Sequence, residues 1–370
     1  MTGRAVWAEI NLAALENNIR NIKSCIQNGA KWCAVVKADA YGHGAIEVAK
    51  KAVEMGASYL AVAVLSEAIM LRKKGFTVPI LILGATPNEC ARELVAYDIT
   101  QAIFTIEQAK AISAEAVAQH KTAKVHLKID TGMHRIGIRS ELAGEFAKGI
   151  SVMPGINLEG IFSHFALADA ENKSYAKKQL ADFKTAIANV ENVGVDIPIK
   201  HIANSAAILE MPEAHFDMVR AGIILYGLWP SDEVKHVIEL KPVMKLCAKI
   251  VYLKKLLPKE SISYGCTWTA DRESLIGTLP LGYADGYTRM LSGKAQVEYR
   301  GQRAPIAGRI CMDQCMVDLT DIDKIKEGDT VTLFGSDNLT VDEVAGWLGT
   351  INYELPCMIS PRVPRVYLGK

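Results

Sequence analysis

A lysine sits in Ala34-Val35-Val36-Lys37-Ala38-Asp39-Ala40-Tyr41-Gly42-His43-Gly44, where an apolar, β-branched run meets a turn punctuated by glycines. A lysine leaving a strand can form an imine with pyridoxal phosphate, and burial assists by disfavouring the ammonium form. Tyr41, four residues on, can reach that cofactor's phosphate with its phenol. Other polar residues close other apolar runs: Lys128 with Asp130, His164, Asn204 with Ser205, and Arg220 with Gly222. In Asn204-Ser205-Ala206-Ala207 and Arg220-Ala221-Gly222-Ile223 a strand turns into a loop or helix. The amides of Gly222 and Ile223 and the Ser205 hydroxyl can therefore converge on one anion, and Ser205 reads equally as a helix N-cap.

Such residues need elements to bring them together. Eight strand-like runs recur at 32–36, 59–65, 79–83, 101–104, 124–129, 158–165, 200–204 and 218–226. Segments of helical period lie between them, at 44–55, 66–74, 106–119, 141–149 and 173–193. Strands alternating with helices in this number predict a (β/α)8 TIM-type barrel, an α/β fold whose active site lies at the carboxyl ends of the strands. After Pro230 the texture changes to short alternating strands at 243–256, 274–281, 296–300, 304–310, 316–319 and 330–334, which predicts a mostly β C-terminal domain. One short helix interrupts it, opening at Thr340 with Glu343 as a capping box and ending at Leu348 before Gly349. The boundary is expected within 235–242, giving a barrel over 13–238 and a β domain over 239–370.

Composition narrows the function. With 370 residues, 50% apolar and 22% charged, the chain can bury sizeable cores, and 42 basic against 41 acidic residues leave no global field to attract nucleic acid or an anionic membrane. The first residues alternate and include Glu9, so no apolar core of a signal peptide forms, and no run reaches membrane length. A cytoplasmic location is expected. The eight cysteines are scattered, and Cys311 and Cys315 are spaced by three residues rather than two, so reduced thiols are expected and no metal site.

The lysine segment resembles the cofactor-attachment segment of bacterial alanine racemases, and matching segments recur in order from Trp7 to Arg365. The resemblance implies a pyridoxal 5'-phosphate enzyme that interconverts L- and D-alanine by two-base proton transfer, supplying D-alanine for peptidoglycan. Lys37 would be one base, and Tyr264 in Ser263-Tyr264-Gly265 the other, entering from the second subunit of a homodimer with shared sites. A phenol titrates near ~10 in water, so neighbouring cations must favour its phenolate. The cofactor contacts so implied are Lys37, Tyr41, His164, Asn204, Ser205, Arg220, Gly222, Ile223 and Tyr353. Arg220 would point at the pyridine nitrogen, with His164 hydrogen-bonded behind it; an arginine keeps its proton, so that nitrogen stays unprotonated and transamination is suppressed. Arg135 would reach the substrate carboxylate, oriented by a carbamate on Lys128, and the backbone around Met312 would bind substrate across the dimer. Asp169, Arg309 and Asp313 resemble the entrance-lining layer, and Tyr283 and Tyr353 narrow the approach. The first dozen residues would pack with the β domain.

Three other readings are weighed. A racemase of broader or different range, for serine or lysine, differs only in pocket volume, where one methylene contributes ~1–3 kcal/mol. A decarboxylase on the same architecture needs a carboxylate opposite the pyridine nitrogen, against Arg220. A non-catalytic pyridoxal phosphate carrier would not need the second domain.

Overall fold

The computed structural model describes residues 3–369. They form two units, one of Glu16–Ala40 with Ala45–Leu240, the other of the residues up to Leu15, Tyr41–Gly44 and those from Lys241 onward. The first strand, β1 (Val6–Asn11), belongs to the second unit.

The first unit is a nearly closed parallel barrel. Its strands are β2 (Lys31–Val35), β3 (Tyr59–Val62), β4 (Ile80–Ile82), β5 (Thr100–Ile103), β6 (Ala123–Asp130), β8 (Ile156–Phe162), β9 (Ile199–His201) and β10 (Met218–Ala221). They are ordered β10-β2-β3-β4-β5-β6-β8-β9, with the two-residue β7 (Ile138–Arg139) beside the end of β6. Helices cover the outer face, so β3 and β4 are buried at every position, which is why these runs are apolar without alternation. The helix Ala45–Glu54 buries Ala45, Val48, Ala49 and Ala52, one stripe at helical spacing. Between β9 and β10 the ladder is open, bridged where Arg220 N–H donates to Ala203 O (3.0 Å) and Asp217 N–H to Lys200 O (3.1 Å). The expected eighth run is cut short: β10 stops at Ala221, and Ile223–Tyr226 is a 3-10 turn, because Gly222 at ψ −109° leaves extended geometry.

The second unit is a nine-stranded sheet built from β1 and β11 (Met244–Lys249), β12 (Tyr252–Leu256), β15 (Ser274–Leu279), β16 (Gln296–Tyr299), β17 (Gln302–Ala307), β18 (Cys315–Asp318), β19 (Thr330–Phe334) and β20 (Arg365–Leu368). The remaining pair, β13 (Ser261–Ile262) and β14 (Trp268–Thr269), forms a separate hairpin. The order is β12-β15-β18-β17-β16-β19-β11-β1-β20, with β1 antiparallel to β11 and parallel to β20. The β16–β17 turn is Arg300-Gly301, both at positive φ, the conformation that matches strand twist in a two-residue hairpin. The single expected run 243–256 divides into β11 and β12. The helix Val341–Leu348 is capped by Thr340, whose side chain accepts from Glu343 N–H, and Gly349 stops it. Only half of the expected capping box forms, because the Glu343 carboxylate pairs with Arg303 (2.5 and 2.7 Å). A second helix, Glu354–Met358, was not anticipated. No described helix is long and apolar enough to cross a membrane.

Candidate active site

Lys37 lies two residues beyond β2 and is half-buried. Ala38, Asp39, Ala40 and Tyr41 follow it at φ between 52° and 55°, four consecutive non-glycine residues in the left-handed region. Each costs roughly 1–2 kcal/mol, so the turn persists only because its surroundings hold it. Glu67 is one support: its Oε1 accepts from Ala38 N–H (2.6 Å) and its Oε2 from Ala63 N–H (2.9 Å), tying the ends of β2 and β3. Asp39 Oδ1 accepts from Ala45 N–H (2.7 Å) at the start of the next helix. The sequence indicated a turn here but not its hand.

A cavity of about 290 Å³ opens beside Lys37 and is also lined by Lys128, His164 and Arg220 at or near other strand ends and by Arg135 from the loop after β6, with Phe162 and Leu83 among its apolar walls. None of its described lining residues is a carboxylate. Such a field suits an anion, a phosphate ester or an α-carboxylate. Lys128 is buried, with Nζ donating to Ile129 O (2.8 Å) and lying over the Phe162 ring. Burial first, then the Arg220 charge, push its amine down to about 7, Asp130 opposing and Arg135 adding to the fall.

Arg220 is the most tightly held side chain of the cavity. NH1 donates to His201 Nδ1 (2.8 Å), and NH2 to Ser163 O (2.8 Å), Ile202 O (3.1 Å) and His164 Nδ1 (3.2 Å). Burial pushes its pKa down to about 10, so it stays a cation at neutral pH. His164 and His201 are held well below the usual histidine range, by burial first and by Arg220 next, and are neutral. All four bonds leave from the terminal nitrogens, so among the described residues the Nε–H of Arg220 has no acceptor. A fixed cationic donor without a protein partner fits an aromatic ring nitrogen as acceptor. The close partner behind Arg220 is thus His201 as well as His164; His201 went unremarked in the sequence, although it holds an inward position in the run 200–204.

In the loops after β9 and β10 the cap of the short helix Ser205–Glu210 is Asn204, whose Oδ1 accepts from Ala207 N–H (3.1 Å). This corrects the expectation that Ser205 caps it. Ser205 Oγ instead accepts from Gly222 N–H (3.0 Å), so that amide is engaged within the protein, while the hydroxyl proton can serve an anion. Ile223 is buried at the start of the following turn. In the loop that carries Arg135, Asp130 Oδ1 accepts from the amides of Gly132 (3.0 Å) and His134 (2.9 Å), and Tyr175 donates to Gly132 O (2.9 Å). Asp169 is held by its carbonyl, which accepts from Ser231 Oγ (2.6 Å).

The remaining candidates lie in the second unit. Tyr264 is 68% exposed and Met312 52% exposed, and with Asp313 they line an open depression. Ser263 before Tyr264 has φ 66° and ψ 178°, a conformation almost confined to glycine, and its Oγ donates to Arg309 O (2.6 Å). Tyr283 N–H donates to Cys311 O and Ala284 N–H to Met312 O, both at 3.0 Å, so this turn clamps the Met312 loop. Arg362 donates to Asp313 (2.7 Å). Tyr41 and Tyr353 are neighbours, ring centroids 6.4 Å apart. Burial, then Tyr353 and Cys357, push the Tyr41 phenol up, which keeps it a hydrogen-bond donor.

The alanine racemase N-terminal domain family model matches residues 10–230, and the alanine racemase C-terminal domain model matches 243–367. The chain is 54% identical to an alanine racemase of Desulfovibrio desulfuricans over 365 residues, 99% of this chain and 98% of that protein. It is 51% identical to one from Clostridium novyi over 99% of this chain and 96% of that protein. Among solved structures, an alanine racemase of Clostridium difficile superposes with a TM-score of 0.96 at 46% identity, covering 99% of this chain and 96% of the other. One of Bacillus anthracis, with bound L-Ala-P, gives 0.94 at 39% identity over 99% and 96%.

Proposed function

The chain belongs to the alanine racemase family, and we propose that it interconverts L- and D-alanine with pyridoxal 5'-phosphate held at Lys37. The observation that carries this reading is the cavity that gathers Lys37, Arg135, His164 and Arg220 at the barrel mouth. Bound there, the cofactor supplies an electron sink that acidifies the Cα–H of an amino acid. Lys37 moves the proton on one face of Cα and Tyr264 on the other. Arg135 binds the substrate carboxylate. Arg220 offers Nε–H to the pyridine nitrogen and, keeping its own proton, delivers none to it. Ser205, Tyr41 and the amide of Ile223 take the phosphate; Asn204 and Gly222 shape that cradle through the cap and the Ser205 bond. Tyr353 and Tyr283 narrow the approach, and Asp169, Arg309 and Asp313 line the way in.

Lys128 with a lowered pKa presents a neutral amine above pH 7, the form that adds CO₂ with release of a proton. The carbamate so formed places an anion among the cations and orients Arg135. The exposure of Tyr264, Met312 and Tyr283 (68%, 52% and 42%) supports a two-fold dimer in which they complete the partner's site. Family membership and the cation at Arg220 favour racemisation over decarboxylation, and a bare cofactor carrier has no use for Tyr264. Purified protein loaded with pyridoxal 5'-phosphate and given single L-amino acids should form the D enantiomer fastest from alanine. No D-alanine from L-alanine would overturn the reading, and a higher kcat/KM for serine or lysine would reassign its substrate.

A further inference from the structure

Behind the cavity a chain of hydrogen bonds runs down the barrel interior through side chains the proposed chemistry does not use. Arg220 NH1 meets His201 Nδ1 at 2.8 Å, His201 Nε2 meets His126 Nδ1 at 2.9 Å, and His126 Nε2 meets Glu159 Oε1 at 3.4 Å. Tyr59 Oη donates to the same Glu159 oxygen at 3.2 Å. Every direction in this chain is forced. A guanidinium only donates, so His201 Nδ1 accepts and its proton sits on Nε2. His126 Nδ1 must then accept, and its own Nε2–H points at a carboxylate that only accepts. Both rings are neutral, since burial lowers His126 and His201 alike. Burial, the largest single influence, would raise Glu159, yet His126, the bond from Tyr59 and the Lys124 charge together outweigh it and hold the carboxyl below its ordinary value, ionised. One fixed cation and one fixed anion thus set the two tautomers between them.

The barrel is shaped around this chain. A Cβ on Gly160 would fall within 2.4–2.5 Å of three His126 ring atoms, so only glycine lets the ring lie there. The β6–β8 register shifts between Val125 and His126, and Phe162 stacks on His201 with centroids 4.8 Å apart at 4°.

We propose that Glu159 is a positioning residue for the reaction, acting through His126 and His201 to hold the Arg220 guanidinium with its Nε–H toward the cavity. The kinetic part of this inference rests on the racemase reading; the ring tautomers belong to the protein with or without substrate. Without the carboxylate, His126 can carry its proton on Nδ1. His201 would then have to accept at Nε2 and present Nδ1–H to Arg220 NH1, donor against donor.

The test combines ¹⁵N-histidine NMR of the loaded protein with kinetics of Glu159→Leu and Glu159→Gln. Wild-type His126 and His201 should both be Nε2–H. Glu159→Leu should mix the His126 tautomers, shift the visible absorption of the loaded protein and lower kcat roughly tenfold, with KM for alanine within about twofold. Glu159→Gln retains an oxygen acceptor and should recover kcat to within about threefold of wild type. If Glu159→Leu does not fold, Gly160→Ala, whose methyl would displace the His126 ring at Nδ1 while leaving the Glu159 carboxylate in the chain, should show the same loss. A proton on Nδ1 of either wild-type ring overturns the proposal, as do wild-type tautomers and kcat in Glu159→Leu. Wild-type protein with the expected rings but no alanine racemisation would instead sink the functional reading and leave the relay standing.

Discussion

Lys128 is a buried lysine whose charge the fold does not favour, and this has a sign that can be measured. Its pKa falls from 10.5 to about 7 on folding, mainly by burial. Between those values the unfolded chain binds a proton that the folded one does not, so this group makes stability rise with pH across that window. Below pH 7 both states are protonated and the full penalty is present; above 10.5 it is gone. Lys128→Met should therefore stabilise the cofactor-free protein most at and below neutral pH, and the advantage should vanish toward pH 10.5 in denaturant titrations made in CO₂-free buffer. Parallel pH profiles for the two proteins would show that Lys128 keeps its proton. Tyr264 makes a different prediction, since it serves one face of Cα only. Tyr264→Phe should keep its cofactor yet lose nearly all Cα–H exchange in deuterated water for one enantiomer, read by NMR. Equal wild-type exchange of both enantiomers would remove Tyr264 as the second base.

The turn from Ala38 to Tyr41 stores backbone strain directly behind the candidate nucleophile. Ala38 is exposed, so its methyl group contributes little packing and its substitution isolates the backbone effect. Glycine accepts the left-handed region without penalty, and Ala38→Gly should raise stability by about 0.5–1 kcal/mol after the added freedom of the unfolded chain is deducted. The same freedom loosens the lysine, so kcat should fall severalfold while Tm rises. A lower Tm would show that Ala38 is not strained in the folded protein. The Glu67 and Asp39 bonds explain why the strain is tolerated: Glu67 ties the turn to the ends of β2 and β3, and Asp39 ties it to the start of the helix Ala45–Glu54.

Assembly decides whether two incomplete surfaces make one site. If each site takes Lys37, Arg135 and Arg220 from one protomer and Tyr264 and Met312 from its partner, two dead variants can rescue each other. Lys37→Ala and Tyr264→Ala subunits, each inactive alone, should on mixing and exchange form heterodimers with one intact site, and recover up to about a quarter of wild-type activity if pairing is random. Verified heterodimers without activity would place both bases in one chain.

Much of this was legible in the residues because the signals are local. The apolar runs, the helical stripes between them and the Thr340–Gly349 helix all obey short-range periodicity and capping, and they reappear within a few residues of where they were expected. Lys37, Lys128, His164, Asn204 and Arg220 were recognisable because a barrel puts its chemistry at strand ends, so a polar residue closing an apolar run is conspicuous. What was not legible depends on groups distant in the chain. The left-handed turn after Lys37 is stabilised by Glu67, the Gly222 amide is taken by Ser205, and β10 ends where Gly222 leaves extended geometry although the residues after it stay apolar. His126, Glu159 and His201 lie inside strands, where one polar residue looks like an exception to an apolar pattern. Only closure of the sheet brings three such exceptions from β6, β8 and β9 within hydrogen-bond reach, and the two ring tautomers are set between the Glu159 carboxylate and a cation on a fourth strand.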